Sequence, residues 1–373
     1  MTPASASAIV RASFRGFWTV AQLLFAQLSH PSWNPMTEPP ADEQSRFEVR
    51  RLDPAEVEAR WDIFLARSDQ ANPFSTRIWL RAAAEMVGAS VDHWVVLKGQ
   101  EWIACLAVPF RRPLGRTLYR GLPLAAYSSV LYRASAGGTP SSLESERLDA
   151  TRALAQTLAR QYRLVSLMLM PSIDDVRAWQ WEGWRAIPRY TCTLDLTSPG
   201  RPADSVRRHV RKCAEAGVSF DREWDLEKFW SIFDETRERQ GFGSSLNRAS
   251  FFTLAQALGD AGLAWMATAR NAGGEPVSSQ IVLSVPGTPG AFMWVAGTRN
   301  AHLASGVSAW LMLEIAAEAG RRGHRYWDLC GADYPSIARF KRELGASLGH
   351  YFQVDAPRSA LENWAVRLKR RHA

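Results

Sequence analysis

Two side chains near the C-terminal end of the chain have the chemistry to handle a charge and a proton. Asp328 ends a short aromatic run, Tyr326-Trp327-Asp328-Leu329-Cys330, and Lys341 stands in the segment that follows. A carboxylate at a strand end can act as a general base, or orient a neighbouring ammonium or amine. An ammonium can hold a phosphate or stabilise negative charge as it develops. The same residues have a plainer reading, a salt bridge of Asp328 with Arg325 or Lys341. Gln280 lies on an apolar strand among Val277, Ile281 and Val282, where a buried amide needs partners and can face a cleft. Tyr334, Arg339 and Trp294 are further substrate-binding candidates, with core packing the alternative for Trp294.

These residues depend on the elements that carry them. Tyr326 to Cys330 reads as a buried strand bounded by glycine. Gly331 ends it, Pro335 and Ser336 signal a helix start, and Gly345 a helix stop. On the helical wheel Ile337, Phe340 and Leu344 share one stripe. Lys341 sits about 40° from Ile337, on the shoulder of that stripe. Its stem is expected on apolar surface and its ammonium at the rim of whatever lies above the strand end.

The segment Asp328-Leu329-Cys330-Gly331-Ala332, followed by Ile337-Ala338-Arg339-Phe340-Lys341 and Gly345-Ala346, resembles the closing segment of the FemAB-like branch of GNAT-fold acyltransferases. The likeness extends more loosely over residues 46 to 355. It implies an α/β chain of two tandem GNAT-like domains, with mixed, centrally antiparallel sheets flanked by helices. It also implies attack of an amine on an activated acyl carbonyl, with Lys341 in electrostatic duty and Asp328 as the carboxylate. Members of that branch add amino acids to peptidoglycan precursors, and relatives acylate amino groups of exported polysaccharides. A GNAT enzyme would cradle the pyrophosphate of coenzyme A in the loop before a helix, here Arg299 to Ser308. Gly306, Ser308 and His302 are the candidates there, although the usual Gln/Arg-x-x-Gly-x-Gly/Ala pattern is matched clearly only by Gly306. Acetyl-CoA is the expected co-substrate, and no metal is expected.

An internal echo agrees with a tandem arrangement. Helix, strand, short helix and strand recur, once around Pro171-Ser172-Ile173 and Tyr190 to Asp195, and again around Pro335-Ser336-Ile337 and His350 to Asp355. A capping box of Ser141 and Glu144 is expected to open the long helix of the first copy. Thr197 to Pro202 reads as the boundary, giving domains of 46–198 and 199–356. Directly after it, Val206, Val210 and Cys213 form an apolar stripe, and Arg207, Arg208, Arg211 and Lys212 fan across the other face. That face suits a phosphate-bearing acceptor, or is simply solvated; FemAB-like proteins carry a basic helix at this point.

The remaining chain bounds the function by exclusion. Its 373 residues are 46% hydrophobic with a net charge of +8, carried mostly by arginine, which suits anionic partners. Cys105, Cys192, Cys213 and Cys330 are scattered, as in a reducing cytoplasm, and neither they nor the histidines have metal-ligand spacing. No Walker loop, G-x-S-x-G elbow or complete G-x-G-x-x-G occurs, which removes the main support for NTPase, hydrolase and Rossmann readings. No run approaches the ~18 apolar residues of a spanning helix.

Residues 1–45 read as an N-terminal extension, either a weak signal-like or interfacial helix over Ala8 to Leu28 or, the favoured reading, sequence before a true start at Met36, and 357–373 as a basic tail. The expected activity is N-acetylation of an amino sugar in an envelope, capsule or adhesin polysaccharide, or of its lipid-linked precursor. The protein would be cytoplasmic, with the inner membrane face a candidate location. Two alternatives stand beside it. One is an aminoacyl-tRNA-dependent peptidyltransferase, for which the long tRNA-holding arm is missing. The other is a non-catalytic scaffold binding a nucleotide such as a cyclic dinucleotide. The tail is the candidate contact for an anionic membrane or a nucleotide.

Overall fold

The computed structural model describes residues 46–111, 121–134, 137–241 and 246–357. The expected N-terminal extension and the basic tail from residue 358 on lie outside the described residues, as do residues 242–245 of the loop Gln240 to Ser245, which the sequence offers as a lid.

The described strands are β1 (Glu48–Arg51), β2 (Ser90–Lys98), β3 (Glu101–Phe110), β4 (Leu131–Tyr132), β5 (Ser166–Met168), β6 (Arg185–Asp195), β7 (Ser219–Asp221), β8 (Ala264–Arg270), β9 (Pro276–Ser284), β10 (Gly290–Thr298), β11 (Tyr326–Asp328) and β12 (Ser347–Asp355). The α-helices are α1 (Pro54–Arg67), α2 (Arg77–Glu85), α3 (Pro140–Gln161), α4 (Arg177–Trp181), α5 (Asp204–Glu215), α6 (Leu226–Gln240), α7 (Arg248–Asp260), α8 (Val307–Arg321) and α9 (Pro335–Glu343).

Local signals account for many of these boundaries. Asp53 and Glu56 close a capping box at the start of α1. The turn between β2 and β3 is Gly99-Gln100, which the sequence marks by its turn chemistry, with Gly99 left-handed. The start of α3 differs from expectation. Thr139, not Ser141, caps it and accepts from the Ser142 N–H, because Pro140 has the fixed φ and missing N–H that suit the first helical position. The short helix expected at Pro171 begins later, at Arg177.

One sheet holds four strands in the order β1-β2-β3-β4, and the other holds eight in the order β5-β12-β6-β11-β10-β9-β8-β7. All pairings are antiparallel except β10 with β11, which α8 connects. The larger sheet runs through the expected boundary at Thr197 to Pro202. Strand β6, from before it, lies between β12 and β11, from after it. The boundary segment is itself pinned. Ala203 N–H donates to the Glu343 carbonyl at 2.8 Å, and Gly200 and Gly345 meet so closely that a Cβ on either would strike the other's carbonyl oxygen. Gly345, at φ +91°, ends α9 as expected.

The site is positioned by an aromatic core drawn from both halves. Phe74 makes edge contacts with Tyr127 at 6.2 Å and Phe292 at 6.1 Å between ring centroids. Trp294 stacks on Phe251 at 5.4 Å and meets Trp79 edge-on at 5.5 Å.

Candidate active site

Strands β10 and β11 run side by side only from Gly290↔Tyr326 to Phe292↔Asp328. Two features then part them. A register shift between Met293 and Val295 leaves Trp294 as an extra residue in β10. On the other side the chain leaves β10 and follows β6, with Leu329 N–H donating to Cys192 O at 2.8 Å and Ala332 N–H to Tyr190 O at 2.7 Å. Between them opens a cavity of about 330 Å³. Met293, Trp294, Cys330 and Gly331 line it, and Phe74, residues 124–127, Met168 and Tyr351 enclose it.

Asp328 lies beneath this opening and is 2% exposed. It accepts hydrogen bonds from the Tyr127 hydroxyl at 2.6 Å, the Thr191 hydroxyl at 2.6 Å and the Cys330 N–H at 2.8 Å. Neither Arg325 nor Lys341 forms the salt bridge considered from the sequence. Burial raises the Asp328 pKa, and the hydrogen bonds from Thr191 and Tyr127 oppose that shift. The Tyr127 hydroxyl is pushed well above its ordinary range by burial and then by the neighbouring carboxylate. Tyr127 also lines the cavity, so its hydroxyl links the cavity wall to the buried acid.

Lys341 does different work from that expected at a cleft rim. It is the buried residue of α9, 5% exposed, whereas Ile337, expected in the apolar stripe, is 40% exposed. Its ammonium donates to three successive carbonyls, Leu329 at 2.7 Å, Gly331 at 2.6 Å and Cys330 between them. A lysine has three donors, so none is left for a phosphate or an oxyanion. The caged turn is unusual backbone, with Cys330 at φ +51° and Gly331 at φ +61°. Lys341 therefore fixes the turn that forms one wall of the cavity and supplies the third hydrogen bond to Asp328. Burial lowers its pKa.

Of the other candidates, Trp294 both lines the cavity and packs in the aromatic core. Gln280 is buried in β9 opposite Ala267 and Ala296, does not line the cavity, and its Nε2 has no hydrogen-bond partner among the described residues. Tyr334 caps α9 and is 71% exposed. Arg339 is exposed and pairs with Glu343 at 2.9 Å. Arg207 pairs with Asp204, while Arg208 and Arg211 are exposed on α5 without an ion pair among the described residues. Gly306, left-handed at φ +80°, leads into α8, with His302 and Ser308 half-buried on either side of it. His209 of α5 packs directly on Gly306, where a Cβ would come within 2.4 Å of the His209 Cβ. The Val307 N–H is taken by the Ser305 hydroxyl at 3.2 Å. The cradle expected for a pyrophosphate is thus partly filled by the protein's own side chains.

Tyr127, Thr191 and Cys330 were not singled out from the sequence. Tyr127 meets Asp328 across 201 residues of chain, and no local pattern encodes such a contact. The one usable signal was the lone acid ending an aromatic strand, because a buried carboxylate must find donors.

Residues 202–342 match the family described as Acetyltransferase (GNAT) domain. The solved structure of FemX superposes with a TM-score of 0.58 at 12% identity, over 82% of this chain and 96% of that one. That of L-PGS from Bacillus licheniformis gives 0.53 at 13% identity, over 86% of this chain and 97% of that one. At such identities the likeness is one of fold. No curated protein matches in sequence. Residues 202–342, with two parting parallel strands over a cavity, are thus a GNAT acetyltransferase domain, in a chain whose fold resembles that of FemX.

Proposed function

We propose that the protein is an N-acyltransferase that passes an acetyl group from acetyl-CoA to an amino sugar of an envelope-type polysaccharide or its lipid-linked precursor. The observation that carries this reading is the Tyr127–Asp328 pair set against the cavity between β10 and β11. The acyl carbonyl would sit between the parted strands. As the amine attacks, the Tyr127 oxygen takes the amine proton while the Tyr127 proton passes to Asp328. The relay then runs backwards to protonate the departing thiolate, so each group ends as it began. A carboxylate with a raised pKa is suited to such shuttling near neutral pH. Lys341 acts as a positioning residue through its turn. On the helical wheel Arg208 and Lys212 lie together on one side of His209, which packs at the start of α8, and suit phosphate groups of a donor or acceptor.

A second reading is an aminoacyl-tRNA donor. His209 over Gly306 favours it, because it narrows the loop that a coenzyme A pyrophosphate would use. Calorimetric titration of the full chain with acetyl-CoA, and separately with charged tRNA, tests both. Micromolar acetyl-CoA binding with thiol release on adding glucosamine oligomers supports the first reading. Binding of charged tRNA alone supports the second. Binding of neither overturns both and leaves a non-catalytic scaffold.

A further inference from the structure

A larger cavity, about 520 Å³, lies in the first half of the chain, between α3 and the segment after β5. Its volume is in the range of about 300–1,000 Å³ typical of small-molecule sites. It is separate from the cleft. Tyr132 of β4 lines it, whereas the preceding residue, Leu131, packs with Tyr127 and Phe292 in the core beneath the cleft.

The cavity contains an idle donor. Gln70 is 2% exposed and lines it. The Gln70 Oε1 accepts from the Tyr132 N–H at 3.2 Å and the Ser68 hydroxyl at 3.1 Å. A backbone N–H can only donate, so the oxygen is fixed there and the amide NH₂ is left over. That NH₂ makes no hydrogen bond among the described residues. That donor is open to the cavity and free to bond whatever fills it.

The charges around it narrow what that something is. Arg177 already holds Asp175 at 2.6 Å and also Glu144. Arg147 lies over the Tyr132 ring at 5.5 Å and, among the described residues, has a single long ion pair, 3.6 Å to Asp69. With Asp174 also in the wall, basic groups do not outnumber acids, so a phosphate or nucleotide gains little. A cation finds two of the acids taken. The remaining surface offers donors, acceptors and the apolar sides of Leu143, Leu148 and Ile173. A hydroxyl-rich ring with an apolar face matches that mixture.

We propose that this cavity is a saccharide-binding site, remote from the reacting centre, that holds a neutral sugar unit of a glycan. The assignment goes beyond the acyl-transfer reading and does not depend on which donor the enzyme uses.

The test is titration of the full chain with the tetramer of β-1,4-linked N-acetylglucosamine and with cellotetraose, followed by saturation-transfer NMR and calorimetry. At least one should bind. Leu143→Trp, which fills the cavity, and Gln70→Glu, which keeps the oxygen for Tyr132 and removes the donor, should each weaken binding tenfold or more. Asp328→Asn should leave the affinity unchanged while lowering transfer by roughly 10²–10⁴, which separates this site from the proposed reaction. The proposal is overturned if neither tetramer binds, if folded Leu143→Trp binds as wild type, or if Asp328→Asn abolishes binding. It is also overturned if ADP binds with loss in Leu143→Trp, which would make the site one for anions.

Discussion

Where the chain leading into β4 meets β5, hydroxyls close the join. Ser128 N–H donates to Met168 O at 2.8 Å, Met168 N–H donates to the Ser128 Oγ at 2.9 Å, and Met170 N–H donates to the Ser129 Oγ at 3.0 Å. Where β10 meets β11 the strands part instead, with Trp294 bulged out on one side and Cys330-Gly331 turned away on the other. Both joins precede a helix and a further strand in the same order. The first is sewn by neutral hydroxyls and is quiet. The second contains a buried acid, a buried ammonium and left-handed backbone. Polar groups of this kind are expensive to bury, and they are gathered at the join where the reaction is proposed.

The largest expected effect comes from removing the acid of the open join. Asp328→Asn still accepts from Thr191 and Cys330 but cannot take a proton, so turnover should fall by roughly 10²–10⁴. In the wild type, activity should fall as pH drops through the raised Asp328 pKa, because the base is then protonated. That acid limb should vanish from the residual activity of the variant. A variant with full turnover would mean that the two joins do not differ in chemistry.

Tyr127→Phe should follow, with a loss of roughly ten- to a hundredfold in kcat and a stability cost of only about 1 kcal/mol for one hydrogen bond. An unchanged kcat would remove the relay and leave Asp328 purely structural. Lys341→Met tests the wall. Three carbonyls lose their donor together, and denaturant unfolding should report a loss of about 3–5 kcal/mol, as when one partner of a buried charged set is removed. A fully stable variant that has lost only kcat would return Lys341 to the electrostatic role suggested by sequence.

His209→Ala opens the space over Gly306. If acetyl-CoA is the donor, its affinity should rise severalfold in calorimetry, whereas unchanged affinity would show that the pyrophosphate does not use this loop. The smallest effect is expected at the sewn join. Ser129→Ala should cost about 1 kcal/mol in thermal unfolding and leave turnover intact.

The same comparison shows how much the sequence could reveal. The β2–β3 hairpin, the strand before Gly331, and the start and stop of α9 were legible because glycine and proline act through local φ restrictions. The helix–strand repeat was legible because periodicity survives divergence. Asp328 was found as a lone acid on an apolar strand. Its partners were not, since Tyr127 and Thr191 arrive from distant segments. Lys341 was located but given the wrong neighbours. The wheel shows which residues share a face, not that the loop's own carbonyls would be the nearest acceptors. Gly306 was singled out as the one residue clearly suited to a phosphate loop, but nothing local announced that His209 would pack on it.

The placement of β6 has a consequence for how the protein is made. Its two edges are covered by β11 and β12, and β12 follows roughly 150 residues later in the chain. At ribosomal speeds of about 5–20 residues per second, a nascent β6 waits roughly eight to thirty seconds for β12. During that interval an eleven-residue strand presents unpaired backbone on both sides. The sheet that builds the site is therefore completed only once β12 has been made, and a chain stopped before it carries β6 bare.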